Sequence, residues 1–133
     1  VIGNIYYVGA SDVASYLITT PKGHILLDGC FAETAPRIEK NIEKMGFNLS
    51  DVKILLNNHA HYDHAGGLKY LKEKSGAKLL ANRVQAEALM RGGKNDFAYE
   101  NLLNFEPVKV DKIIKNKKTN KEHKNNQYIL NVW

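Results

Sequence analysis

The chain has 133 residues, 44% hydrophobic and 25% charged, a balance that allows one ordinary globular core and excludes collagen-like, coiled-coil or wholly disordered chains. No apolar run approaches the roughly 18 residues of a membrane span, and no charged-then-apolar leader opens the chain, so a soluble protein is expected, its export signal absent or already removed. The net charge of +5 is local: five of the 19 basic residues fall within residues 115–124, so the excess belongs to a tail and not to a nucleic-acid-binding face.

Residues 2–8, 14–19 and 24–27 are short β-branched and apolar runs. They are separated by Gly9-Ala10-Ser11-Asp12 and Thr20-Pro21-Lys22-Gly23, both turn chemistry, and are expected to form three successive antiparallel strands. Cys30, the single cysteine, permits no intrachain disulfide and leaves the redox compartment open. After Asp28-Gly29 the period changes. Ile38, Ile42 and Met45 recur at helical spacing, Pro36 suits a first turn and Gly46 can close the helix in the left-handed conformation, which predicts a helix over residues 34–45.

Val52-Lys53-Ile54-Leu55-Leu56 has the pattern of a buried strand. A histidine cluster follows on the loop leaving it, and Leu68 and Leu71 mark a short helix that stops at Gly76. Lys78-Leu79-Leu80-Ala81 predicts another strand. Asn82 with Gln85 resembles a capping box opening a helix that ends before Gly92-Gly93. Strands and helices alternate from here as in α/β units. The signal weakens from residue 94 to 107, residues 108–114 could add one strand, and at residue 115 the composition breaks. Residues 115–127 contain no aliphatic or aromatic residue and cannot bury enough surface to offset their ordering entropy, so disorder is expected there, with residues 128–133 a short apolar terminus. The division is thus an incomplete domain over residues 1–114 and a Lys/Asn-rich tail over 115–133.

The chemistry lies in His59-Ala60-His61-Tyr62-Asp63-His64. On a loop leaving a strand, His59 and His61 can point the same way and reach one metal ion, while Asp63 and His64 can present ligands to a second. Neutral imidazole and carboxylate suit zinc, and two zinc ions roughly 3.5 to 4 Å apart can hold a bridging hydroxide that attacks a carbonyl or phosphoryl centre. Asp63 would both bind metal and orient that hydroxide. A polar loop or chance His-rich tract is the plain alternative, but the spacing, set between a buried strand and Gly66-Gly67, is more specific than that. Tyr62, between ligands, reads as packing. His24, in a turn before a strand, and His123, in the tail, read as solvated surface residues.

This motif resembles the metal-binding signature of the metallo-β-lactamase superfamily. The wider match, through residues 4–9, 11–18, 26–29, 59–67, 76–78 and 91–93, looks like class B β-lactamases of the third subclass and covers about residues 2–114. The resemblance implies the N-terminal half of an αββα sandwich, an α/β fold with a mixed sheet and helices on its outer face. It also implies up to two zinc ions, hydrolysis of a β-lactam ring by zinc-bound hydroxide, and a periplasmic or secreted location. His59 and His61 resemble two of the three ligands of the first zinc, and Asp63 and His64 two of the three protein ligands of the second. Asp28 resembles the aspartate that ends a strand beneath the metals, although an Asp-Gly turn accounts for it equally well.

The family's two remaining histidine ligands lie in a second half that this chain does not carry. The break at residue 115 reads as a truncation, with a frameshift and a native tail both open as its origin, and the start at Val1 as loss of a leader. Weak zinc binding and little turnover are therefore expected of the chain alone. An uncovered sheet face, fed by Ile25, Leu27, Leu55 and Leu79 or their neighbours, would drive self-association. Lactone or thioester hydrolysis, nuclease activity, nucleic-acid binding through the tail and an inactive product stay open as alternatives.

Overall fold

The computed structural model describes residues 1–97 and 99–115. The strands β1 (Ile5–Tyr7), β2 (Tyr16–Ile18) and β3 (His24–Leu27) form an antiparallel meander. It continues through β4 (Val52–Leu56), β5 (Lys78–Ala81) and β6 (Lys112–Ile113), each parallel to its predecessor, into one six-stranded mixed sheet ordered β1-β2-β3-β4-β5-β6.

Helices fill the crossovers. Helix α1 (Ala35–Lys44) joins β3 to β4, α2 (Tyr62–Ala65) and α3 (Leu68–Ser75) join β4 to β5, and α4 (Arg83–Met90) joins β5 to β6. Successive parallel crossovers of one hand, advancing in one direction across a sheet, must lay their helices on one face. That face holds the main core: Leu17, Leu26, Leu55 and Leu79 of the sheet meet Ile38 and Ile42 of α1, Leu68 and Leu71 of α3, and Leu89 of α4. The opposite face gathers a smaller cluster of Ile25, Ile54 and Leu80, flanked by Ile18, Leu56 and Ile114.

The expected strands and helices are present in the expected order, with differences that have physical causes. Leu55 and Leu79 lie against the helices; their neighbours Ile54 and Leu80 take the other face. A parallel strand apolar on both sides carries no alternation from which its faces could be assigned. The last strand is two residues long rather than spanning 108–114, because the Val108 N–H bonds to Leu89 O at the end of α4 and only from Asp111 does the chain follow β5. His24 is not a solvated turn residue: it opens β3, is half-buried, and meets the Phe47 ring edge-on at 5.2 Å. The expectations for residues 116–133, including His123, lie outside the described residues. Among the described residues no helix is long and apolar enough to cross a membrane.

Candidate metal centre

The cluster sits at the carboxyl ends of β3 and β4, where the loops of an open parallel sheet diverge and leave a crevice. Two peptide bonds fix its floor: the Asp28 N–H donates to Leu56 O and the Gly29 N–H to His64 O, at 2.9 and 2.7 Å. Helix α2 can approach β3 this closely because Gly66 and Gly67 lack side chains. A Cβ at Gly67 would stand 2.3 Å from Gly29 O and 2.8 Å from Ala35 Cβ. His61 caps α2, and Asp63 and His64 fall in its single turn, so these two ride on a helix and not on the loop that the sequence suggested.

The donors converge in pairs. His59 Nε2 and His61 Nδ1 are 2.6 Å apart, and His64 Nε2 lies 3.5 Å from Asp63 Oδ2. The far nitrogens are tied to carboxylates, His64 Nδ1 to Asp28 Oδ2 at 2.9 Å and His61 Nε2 to Asp96 Oδ2 at 3.0 Å. A carboxylate only accepts, so in the neutral rings the protons sit on His64 Nδ1 and His61 Nε2. The lone pairs of His64 Nε2 and His61 Nδ1 are thereby left pointing into the cluster. Burial, and then repulsion from His61 and His64, hold the His59 pKa below the ordinary histidine value, which keeps that ring neutral at pH 7.

This donor set fits a divalent ion of the zinc type: neutral imidazoles and a carboxylate, with outer nitrogens oriented by carboxylates as metal-ligating histidines usually are. Two ring nitrogens at 2.6 Å must share either a proton or a cation. Tetrahedral zinc would spread them to roughly 3.3 Å, an opening of under about 1 Å. Among the described residues no group of three or more His, Cys, Asp or Glu side chains is arranged around one point. Among the described residues the cluster is therefore two donor pairs.

Asp28 does more than form a turn. Its Oδ1 accepts the Asn58 N–H at 2.7 Å and Asn57 Nδ2 at 3.2 Å while Oδ2 takes His64, so one buried carboxylate ties the end of β3 to the loop leaving β4. Tyr62 donates its hydroxyl to Glu33 at 3.0 Å and leans on Phe31. Burial adds to this hydrogen bond in holding its pKa above the ordinary tyrosine value. A cavity of about 400 Å³ opens over the cluster, walled by Phe31, Tyr62, Tyr99 and Leu103, a size suited to a small molecule.

Two contributors escaped the sequence reading. Gln85 accepts the Ala60 N–H at 2.6 Å through Oε1, fixing the peptide between His59 and His61. Only half of the expected capping box therefore forms, Asn82 Oδ1 accepting from the Gln85 N–H. Asp96, the partner of His61, lies where the periodic signal had faded. The signal that could have found Gln85 was its place at a helix start; Asp96 carried none beyond following Gly92-Gly93.

The model of the metallo-beta-lactamase superfamily matches residues 8–123. Among solved structures, the chain is similar to the metallo-beta-lactamase of Cronobacter sakazakii, with TM-score 0.83 and 45% identity, covering 85% of this chain and 45% of that one. It is also similar to the FEZ-1 metallo-beta-lactamase of Legionella gormanii, with TM-score 0.81 and 44% identity, covering 84% and 44%. A hydroxyacylglutathione hydrolase of Pelagibacter ubique is 42% identical over 69 residues, 52% of this chain and 27% of the relative. A metal-dependent hydrolase of Thermodesulfovibrio yellowstonii is 32% identical over 106 residues, 73% and 39%. The chain spans less than half the length of each of these relatives.

Proposed function

The chain belongs to the metallo-beta-lactamase superfamily of metal-dependent hydrolases, and from that premise we propose that it carries half of a zinc site used to hydrolyse the amide of a β-lactam ring. His59 and His61 would hold one ion, Asp63 and His64 a second. The observation that carries this reading is the pairwise convergence of ligand atoms: His59 Nε2 against His61 Nδ1, and His64 Nε2 against Asp63, with Asp28 behind the His64 ring and Asp96 behind the His61 ring. Zinc, when bound, supplies Lewis acidity and brings the pKa of water toward neutrality.

The protein's own contribution is orientation. Asp28 fixes the His64 tautomer, and Gln85 holds the Ala60 peptide so that His59 and His61 stay on the same side. Asp63, half exposed, presents a carboxylate that can accept the hydrogen bond of an attacking water. Tyr62 donates to Glu33, which keeps its proton away from a leaving nitrogen. Phe31, Tyr99 and Leu103 give the cavity an apolar side facing the polar cluster, which suits a small molecule with both kinds of surface.

A second reading, thioester hydrolysis, is favoured by the Pelagibacter relative. That match covers 52% of this chain, against 84–85% for the two lactamase structures, so the β-lactam reading is preferred. The test has two arms. Zinc retained by the dialysed chain against a competing chelator should be weak and should vanish in His59→Ala/His61→Ala; equal retention by both proteins would overturn the site. A full-length protein containing this segment should hydrolyse nitrocefin faster than a glutathione thioester, and the reverse order would replace the substrate assignment while keeping the hydrolase.

A further inference from the structure

We propose that Asp96 is a positioning residue for His61, a carboxylate that locks this imidazole in the tautomer whose Nδ1 is free to bind metal. The inference rests on the metal-site reading above and adds a residue to it from outside the motif.

The geometry assigns each oxygen of Asp96 a task. Oδ1 accepts the Tyr99 N–H at 3.0 Å and Oδ2 meets His61 Nε2 at 3.0 Å. The backbone on either side is held as well: the Asp96 N–H donates to Glu100 O at 3.1 Å and the Glu100 N–H to Asp96 O at 2.9 Å. The loop carrying it is pinned at its root, where the Gly93 N–H donates to Ala88 O and the Phe105 N–H to Gly92 O, both at 3.0 Å. The carboxylate is thus presented from a backbone position bonded through both its N–H and its C=O, and the two side chains are only 22% and 28% exposed, so water competes poorly for the contact. Tyr99, raised on the same turn, meets the His61 ring edge-on at 5.2 Å. Between them these contacts set both the rotation of the imidazole and the nitrogen that carries its proton.

The consequence falls on the opposite nitrogen. Neutral imidazole in water divides its proton between two positions, and only one leaves Nδ1 able to meet the ion that His59 Nε2 faces. A carboxylate behind Nε2 selects that form; removing such a partner typically lowers metal affinity roughly 10–100-fold. Asp96 acts through His61 and touches no reacting atom. Since Gln85 fixes the Ala60 peptide and Asp96 the His61 ring, the motif is aligned by two residues from the α4 crossover, one in the first turn of that helix and one on the loop that follows it.

The test uses the whole chain labelled with ¹⁵N-histidine. Long-range proton–nitrogen correlation spectra of the metal-free protein should show His61 protonated at Nε2 alone. Asp96→Asn, which leaves one oxygen where the Tyr99 N–H and the His61 Nε2–H both need an acceptor, should retain only part of that bias. Asp96→Ala should give mixed tautomers and bind zinc roughly 10–100-fold more weakly in chelator competition, with Asp96→Asn between the two. A turn that merely held the loop would leave the ring nitrogens unchanged. An Asp96→Ala protein with wild-type tautomer and wild-type zinc affinity overturns the inference. A wild-type chain that retains no zinc while His61 keeps its Nε2–H overturns the metal-site reading instead, and the tautomer comparison still decides the hold of Asp96 on His61.

Discussion

Asp28 and Cys30 both adopt left-handed backbone, with φ +63° and +54°, on either side of Gly29. A non-glycine residue in this region costs about 1–2 kcal/mol, least for Asp and Asn. The contacts that hold it there are those that build the site: buried Ser15 donates to Asp28 O at 2.8 Å, and the Gly67 N–H to Cys30 O at 3.1 Å. Asp28→Ala would strand the Asn58 N–H and the His64 Nδ1–H while worsening the backbone fit. A loss of about 2–3 kcal/mol is expected in urea unfolding. Asp28→Asn keeps the Asn58 bond and the backbone preference but cannot accept from His64. It should unfold near the wild-type midpoint and yet bind zinc roughly 10–100-fold more weakly; a variant that loses stability and affinity together would assign Asp28 to the turn alone. Burial, and then the Asp28 charge, push the Cys30 thiol up to about 11. At pH 8 it should therefore stay unmodified by a disulfide reagent in the folded chain and react at once in denaturant.

At the scale of elements, α3 is tied to the start of β6 by one carboxylate. Asp111 Oδ2 accepts from Lys72 Nζ at 2.6 Å and from the Leu79 N–H at 2.8 Å, while the Asp111 N–H donates to Leu79 O at 2.9 Å. Burial alone would raise the Asp111 pKa, but the bonds from Lys72 and Leu79 outweigh it and the net shift is downward. A folded-state pKa below the unfolded value of about 3.9 means stabilisation that is full above that pH and is lost as pH falls through the folded pKa. Asp111→Asn should cost about 1–2 kcal/mol at neutral pH, and the gap from wild type should close on acidification below about pH 4; a pH-independent gap would mean that the charge contributes nothing. This contact also shows why the last strand could not be read from residues 108–114. Its apolar pattern is genuine, yet an aspartate side chain takes the place of a ladder partner and the strand starts after it. By contrast α1, α3 and α4 were readable because their ends are set locally, by Gly46 at φ +85°, Gly76 at φ +71° and the Asn82 cap.

For the molecule as a whole, the metal motif was readable because its four donors are contiguous, whereas Gln85 and Asp96 reach it from 25 and 35 residues away by way of a crossover whose landing point no local pattern encodes. The same crossovers put every helix on one side of the sheet, and this gives the remaining face its meaning. Tyr6 and Leu17 point to the helices, so Ile5, Tyr7 and Tyr16, next to them along the strands, point away. They align with Ile18, Ile25 and Leu27 through the registers Ile5↔Ile18, Tyr16↔Leu27 and Ile18↔Ile25. Ile5, Tyr7 and Tyr16 remain 41%, 44% and 39% exposed, and β1 is an edge strand whose Ile5 backbone bonds back to Ile2. An apolar sheet face running to an open edge favours pairing with another copy, and we expect the chain to self-associate there. Sizing with light scattering at high micromolar concentration should give a dimer or larger species. Tyr16→Glu, which places a charge on the exposed part of the face away from the main core, should weaken association at least about tenfold, or 1.4 kcal/mol, with an unchanged circular dichroism spectrum. A monodisperse wild-type monomer would show that the apolar stripe is satisfied within the chain itself.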